Sequence, residues 1–410
     1  MNITEFTHAS EDALNEYLTA IAHWFSTGQF KTSVPNPVPS FPSMMVITVL
    51  PNHFAFELVG GRRNNRNLKV VKRKLDDTTL YFSQFNFPPN VKPMVELGHP
   101  DGAGYIEGIA LITENARQEL DRRFPGATDM HPSRIVAVGD DFGPAIDLDE
   151  DAKFLCLDNV LAVNALDQMV RIRQMRLTVV ANKRVTAQEY RSYLRELLEV
   201  KHGANLIGVR LISGDKAEAV LKAAQFANLF LMNKLHETSI GTFIDQHRDI
   251  LLSALEAKAF VTEPYLPWVV TSPDPEEHAV NPDLFVQRAD GYWDIYDLKH
   301  ALLNRRDVTT GRRNRRRFVS DIEDGLAQLA HYREFLSIPE HAVLAKEKYG
   351  VTFNKPRYTL VVGSYENIDA DKVADARRRF PDLEIIDYDS LLQLYLIRKG
   401  YFQNSKSVTE

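Results

Sequence analysis

Cysteine is almost missing from this chain: Cys156 is the only one in 410 residues, which excludes an internal disulfide framework and a zinc site built on several thiolates. A reducing cytoplasm fits that usage. Cys156 itself lies in the apolar run FLCLDNVLAV and reads as an inert core residue. Long hydrophobic stretches are missing too. No run reaches the ~18 uninterrupted apolar residues of a membrane span, so no membrane partner is expected. MNITEFTHASEDALNEYL has no basic segment followed by an apolar block, so no secretory leader is expected either. An excess of positive charge is also lacking, since 49 Lys and Arg face 55 Asp and Glu for a formal net charge of -6. Any contact with nucleic acid must therefore use a local patch. Histidines at metal-ligand spacing are absent: His99 and His131 each precede a proline and read as turn residues. The acids Asp140, Asp141, Asp147, Asp149, Glu150 and Asp151 do not keep EF-hand spacing and read as a solvated loop. No internal repeat is present.

What remains is a folded composition, 44% hydrophobic and 25% charged, on a chain too long for one ordinary core. Residues 1–30 predict one amphipathic helix, with Leu14, Leu18, Ile21 and Phe25 near helical spacing and Gly28 at its end. MMVITVL, HFAFELVG, LKVVKRKL and TTLYFSQF then read as short strands of an antiparallel sheet or small barrel. GGRRNNRN (60–67) lacks the Gly-Lys-Ser/Thr ending of a nucleotide loop and is either a polar hairpin tip or an accessory DNA contact. GYIEGIALIT and SRIVAVGDDF read as strands and ENARQELDRRF as a helix. In DQMVRIRQMRLTVVA, apolar and basic residues alternate; Arg171, Arg173 and Arg176 either add to a basic surface or belong to a half-buried strand. TAQEYRSYLRELLEV, with Thr186 as its cap, and KAEAVLKAAQFANLFLMNKL are helical. A domain boundary is expected between about 200 and 235.

The most informative stretch is NPDLFVQRADGYWDIYDLKH (281–300). Asp290-Gly291 between two apolar, β-rich pieces signals a hairpin. Asp297 and Lys299 share a strand face by alternation, and the hairpin brings Asp283 alongside them. Two carboxylates and an ammonium at one sheet end repel and desolvate one another unless a cation pairs with them, and Mg²⁺ takes one or two carboxylates while keeping waters. This P-D, spacer, D/E-x-K order is the signature of the PD-(D/E)XK nucleases; the competing reading is a solvated hairpin with a surface ion pair. In DIEDGLAQLAHYREFL, helical spacing makes Gln328 and Tyr332 neighbours. That pair is similar to the fourth motif of the RecB and lambda-exonuclease branch, although both residues could simply border a buried helix face. Upstream, KLHETSIGTFIDQHRDIL offers Glu237 as a first-helix carboxylate, with Asp245 as its competitor. NRRDVTTGRRNRRRF places Arg305, Arg306, Arg312, Arg313, Arg315, Arg316 and Arg317 in one polar segment, suited to sequence-blind contact with phosphates. RYTLVVGSY, DADKVADARRRF, LEIIDY and DSLLQLYLIRKGYF then alternate strand and helix, which demands a mixed sheet with helices on both faces.

From about 230 to 400, Glu237 before FIDQHRDIL, EPYLPWV, NPDLFVQ with DIYDLKH, AQLAHY, VVGSY and EIIDYDSLL together resemble the Shedu anti-phage defence proteins, in the C-terminal nuclease domain of their SduA subunit. The expected fold class is α/β: a restriction-endonuclease-like mixed sheet flanked by helices, following a β-rich α+β N-terminal region. The expected organisation is a regulatory or DNA-sensing region at 1–200, a helical connector at 201–235, the nuclease domain at 236–402 and a disordered tail at 403–410. The resemblance implies a Mg²⁺- or Mn²⁺-dependent endonuclease that hydrolyses phage or plasmid double-stranded DNA with metal-activated water, working as a homo-oligomer, a tetramer by family. By position it makes Asp283 and Asp297 metal ligands with Glu237 as a further acid, Lys299 the catalytic lysine and Gln328 an accessory residue. The family commonly has Glu where Asp297 stands, one methylene longer. The alternative function is a non-cleaving DNA-binding sensor or scaffold that keeps the fold.

Overall fold

The computed structural model describes the chain apart from residues 31, 33, 35, 86–94, 99–101, 108–134, 139–145, 167–168, 200–205, 271–275, 313–314, 381–382 and 402–410. The helix expected at ENARQELDRRF, the turns at His99 and His131, Asp140, Asp141, Arg313 and the tail at 403–410 lie outside the described residues. The chain divides into two compact units, Met1–His236 and Glu237–Glu410. That division falls just past the expected window of 200–235. Among the described residues no helix is long and apolar enough to cross a membrane.

Unit one opens with α1 (Ile3–Ser26), where Asn2 accepts from the N–H groups of Thr4 and Glu5 and Glu5 returns to the Asn2 N–H. Such a capping box stabilises a helix start by about 1 kcal/mol. Phe6, Leu14, Leu18 and Ile21 are buried along one face, and Gly28 at φ +68° turns the chain away. The sheet beneath comprises β1 (Met44–Val49), β2 (His53–Val59), β3 (Lys69–Lys74), β4 (Ala103–Glu107), β5 (Ile135–Val138), β6 (Phe154–Leu166) and β7 (Met169–Asn182). Its order is β3-β1-β2-β7-β6-β4, with β5 also on β6.

This sheet corrects the expectation of an antiparallel sheet or barrel. It is open and mixed, because β1 pairs in parallel with β3, and β6 pairs in parallel with β4 and β5. Residues 60–67 are the physical reason on the β3 side: they carry the chain from β2 past β1 to its far edge, a crossover rather than a hairpin tip. Arg63 on that crossover is paired with Asp215 and Glu218.

Arg171, Arg173 and Arg176 are not a basic surface, since all three are at most 2% exposed. Arg173 pairs with Glu57 and donates to Asn228 Oδ1 at 2.5 Å and to the Tyr81 carbonyl at 2.7 Å. Arg176 donates to the carbonyls of Gly208, Gly60 and Ser40. The alternation fails because the β6–β7 ladder skips the Asn159/Arg176 pair, where Asn159 sits at φ +56°. Past this kink, Leu177 and Val179 join the core under α1, whereas Met175 belongs to the core on the other face. Cys156 is buried, and burial pushes its thiol pKa up, as an inert core residue requires. Helix α2 (Ala187–Leu197) starts at Thr186 with a capping box to Glu189. The stretch expected as a connector contains α3 (Gly214–Phe230), which joins the sheet through Gln225 to Gln174 at 2.8 Å and Asn228 to Glu57 at 2.7 Å.

Unit two runs α4 (Glu237–Gln246), α5 (Arg248–Ala254), β8 (Ala259–Thr262), β9 (Leu284–Gln287), β10 (Trp293–Leu298), α6 (Ser320–Ser337), α7 (Pro339–Tyr349), β11 (Tyr358–Val361), α8 (Ala370–Arg377), β12 (Leu383–Ile386) and α9 (Tyr388–Arg398). The sheet order is β8-β9-β10-β11-β12; the first two pairings are antiparallel and the last two parallel. A mixed α/β sheet is therefore what forms. Trp293 and Ile295 of β10, Phe285 of β9 and Leu360 of β11 share a core with Ile322, Leu326 and Leu329 of α6. Each such fully buried side chain contributes about 1.5–3 kcal/mol. Alternation assigns the α6 face of β10 to Trp293, Ile295 and then Asp297.

Candidate active site

The hairpin turn is built locally. Gly291 adopts φ +92°, which favours glycine, and the Asp290 carboxylate accepts from the Tyr292 N–H and the Arg288 guanidinium, each at 3.1 Å. The register it sets pairs Leu284 with Tyr296, so one step further Asp283 comes opposite Asp297, on the α6 face. Asp283 Oδ2 accepts from the Leu298 N–H at 2.6 Å. Lys299 Nζ stands 2.9 Å from Asp297 Oδ2 and donates to Gln328 Oε1 at 2.9 Å. Gln328 in turn donates to the Tyr332 hydroxyl at 2.6 Å, and that hydroxyl reaches the Asn281 carbonyl at 3.4 Å. Four of the five residues assigned to catalysis, Asp283, Asp297, Lys299 and Gln328, thus form one connected group.

The electrostatics are those of crowded acids. Asp297 has a 1% exposed side chain, and burial, followed by the charge of Asp283, pushes its pKa up to about 7 against the help of Lys299. Asp283 is also raised, chiefly by burial, with the Leu298 N–H and Lys299 opposing. Burial works against the Lys299 charge, but Asp297, Glu237 and Asp283 outweigh it and hold its pKa up. Asp297 Oδ2 is buried and has the Lys299 ammonium, 2.9 Å away, as its partner, with no well-aligned donor beyond it among the described residues. One ammonium does not offset the burial and the Asp283 charge acting on this carboxylate, so its charged form stays costly. Two facing acids in this state fit a hard divalent cation, which needs only one or two protein carboxylates.

Glu237 reaches the same group through its charge and through His300. It begins α4, and its Oε1 accepts from the His300 N–H at 3.2 Å and lies 3.5 Å from His300 Nε2. Among the described residues no set of three or more His, Cys, Asp or Glu is gathered closely enough to hold an ion. Glu237 still raises the pKa of both aspartates through its charge. Asp245, its competitor, is spent on an exposed pair with Arg248 at 2.6 Å.

The arginine segment folds as a tight hairpin. Thr309 pairs with Phe318 and Thr310 with Arg317, and Gly311 at φ +87° leaves no room for a Cβ, which would lie 2.6 Å from the Arg315 carbonyl oxygen. Its root is fixed near the end of β10, because Asn367 donates to the carbonyls of Ala301 and Leu302 at 2.9 and 3.0 Å and accepts from the Val308 N–H through its own carbonyl at 2.9 Å. Arg306, Arg312, Arg315 and Arg317 are exposed. Arg305 is paired with Asp321 at 3.0 Å, and half-buried Arg316 lies 3.3 Å from Thr309 Oγ1 and 3.9 Å from Asp375.

Two contributors escape a reading by motif. The Tyr388 hydroxyl, opening α9, donates to the Lys299 carbonyl at 2.5 Å and holds the lysine backbone. Gly325, inside α6, is where Leu360 and Lys299 pass; an added Cβ would meet Leu360 Cδ1 at 2.8 Å and Lys299 Cε at 3.3 Å. A glycine inside a helical pattern is the one signal that could have marked it. Comparison with protein-family models and with curated proteins finds no match to this chain.

Proposed function

We propose that unit two is a PD-(D/E)XK nuclease domain of the Shedu type and that the protein is a metal-dependent DNA endonuclease. The observation that carries this reading is the facing Asp283–Asp297 pair, Asp297 buried and Asp283 half-buried, with Lys299 set beside it by Gln328. The resemblance of residues 230–400 adds phage or plasmid duplex as the substrate and a homo-oligomer, a tetramer, as the working form.

Asp283 and Asp297 would hold Mg²⁺ or Mn²⁺, which when bound polarises a phosphoryl oxygen and eases the ionisation of water. The remaining work belongs to the chain. Lys299, kept protonated by its acidic neighbours, balances the charge that builds on the phosphate in the transition state. Gln328 fixes the ammonium, and Tyr332 fixes the Gln328 amide. Arg312, Arg315 and Arg317 hold the flanking backbone without reading bases.

The test is incubation of supercoiled and linear DNA with Mg²⁺, Mn²⁺ or EDTA, beside Lys299→Ala and Asp283→Ala. Cleavage should need the divalent ion, and Lys299→Ala should lower it by about 10²-fold or more, the scale of one lost electrostatic stabiliser. Products formed in EDTA, or at the wild-type rate by Lys299→Ala, would refute this reading. Salt-sensitive binding with no product under either ion would favour the second reading, a DNA-binding protein working through its exposed arginine hairpin.

A further inference from the structure

A second group of cations gathers where unit two's sheet begins, away from the aspartate pair. There a cleft of about 660 Å³ lies between the C-terminal part of α6 and the starts of β11 and β12. This is within the span of about 300–1,000 Å³ typical of small-molecule sites. Strand β10 links the two places: the N–H of Ile295 bonds the Arg357 carbonyl near the cleft at 2.9 Å, while Lys299, just past the strand's other end, belongs to the aspartate cluster.

Among the described residues Arg333, Lys355, Arg357 and Arg377 line the cleft, together with one acid, Glu384. Arg357 is matched within this group: the buried Asp294 carboxylate is shared by Arg288 at 2.8 Å and Arg357 at 3.0 Å, and Arg288 has Asp290 as a further partner at 3.1 Å, which leaves the other three cations to face the cleft. The loop that carries two of the cations is held in place. Lys355 sits at φ +47°, and Arg288 donates to the carbonyls of Asn354 and Lys355 at 3.2 and 3.4 Å, which pins the loop carrying Lys355 and Arg357. Leu336 and Phe353 supply an apolar part of the wall. Several cations around one cavity with an apolar wall suit a small anion carrying a flat apolar group. A duplex instead presents its phosphates along an extended surface.

We propose that this cleft binds a nucleotide, its phosphates held by Arg333, Lys355 and Arg377 and its base lying against Leu336 and Phe353. Binding there requires neither the catalytic acids nor a divalent ion. Calorimetric titration of the full chain with ADP in EDTA at low salt tests it, with adenosine and inorganic phosphate as comparison ligands. ADP should bind, adenosine and phosphate should each bind at least about 10-fold more weakly, and Arg333→Ala and Arg377→Ala should each weaken ADP by about 10-fold, as charge-assisted hydrogen bonds do. Both arginines are exposed, so neither change threatens the fold. Lys299→Ala should bind ADP as the wild type does. No ADP binding up to about 1 mM, adenosine or phosphate binding as tightly as ADP, or indifference to both arginine variants would each overturn the assignment. So would tighter binding of a single-stranded oligonucleotide that displaces ADP, which would make the cleft part of a DNA track.

Discussion

Asp297 concentrates the tension of the candidate site in one carboxylate. Its folded pKa is raised from the ordinary 3.8 to about 7 by burial and by Asp283. The folded state therefore holds this proton more tightly than the unfolded chain does, and stability falls as pH rises across that interval. Asp297→Asn has no proton to lose, so without divalent ions its melting temperature should drop less than that of the wild type between pH 5 and 8. The difference should be on the order of 2 kcal/mol and vanish towards pH 4. Added Mg²⁺ should stabilise the wild type increasingly up to about pH 7 and leave Asp297→Asn nearly unmoved. Parallel melting profiles for the two proteins would remove the strained carboxylate from the account. Asp283, Asp297, Lys299 and Gln328 are legible in the sequence because strand alternation and a helical four-residue spacing are local rules. The contact of His300 with Glu237 and that of Tyr388 with Lys299 are not, since each joins residues more than sixty positions apart.

Helix α6 carries two opposing demands at Gly325. As a helix-interior position it would gain up to about 1 kcal/mol from alanine. As a crossing point it would lose, because the new Cβ would lie 2.8 Å from Leu360 Cδ1, a side chain with no exposure and no room to retreat. Overpacking of this kind costs about 1–3 kcal/mol. Gly325→Ala should therefore destabilise the protein by about 1 kcal/mol and also slow cleavage, since Lys299 Cε must shift. Thermal melts and a plasmid assay check both, and a rise in melting temperature would contradict the close approach. Other elements follow their local signals more simply: α1, α2 and α9 begin at Asn2, Thr186 and Asp387, side chains that each accept from a backbone N–H in the first turn. Strand β7 does not. Its alternation of apolar and basic residues looks half-exposed, yet the kink at Asn159 and the covering helix α3 turn its arginines inward.

Across the whole chain, arginine serves two ends that composition cannot separate. Arg173 and Glu57 have side chains at most 1% exposed, so Arg173→Ala strands a buried carboxylate and should cost about 3–5 kcal/mol in chemical denaturation. Arg312→Ala and Arg315→Ala alter exposed side chains and should change stability by no more than about 0.5 kcal/mol. In DNA binding the order reverses: each hairpin variant should weaken affinity and lower the slope of log K against log salt by about 1. An unchanged slope for both would take the hairpin off the DNA.

In unit two the β9–β10 hairpin with its turn at Asp290-Gly291, helix α6, the succession β11, α8, β12, α9 and the grouping of Asp283, Asp297 and Lys299 follow from the sequence alone, because hydrophobic period and turn chemistry act over a few residues. Tertiary structure decided the mixed pairing of the first sheet, the burial of Arg171, Arg173 and Arg176, the contact of Glu237 with His300 and the cationic cleft at the start of β11. Each of these depends on which distant segment comes to lie beside a given side chain. Only packing sets whether a charged group meets water, a partner or the core, and with it the cost of that charge.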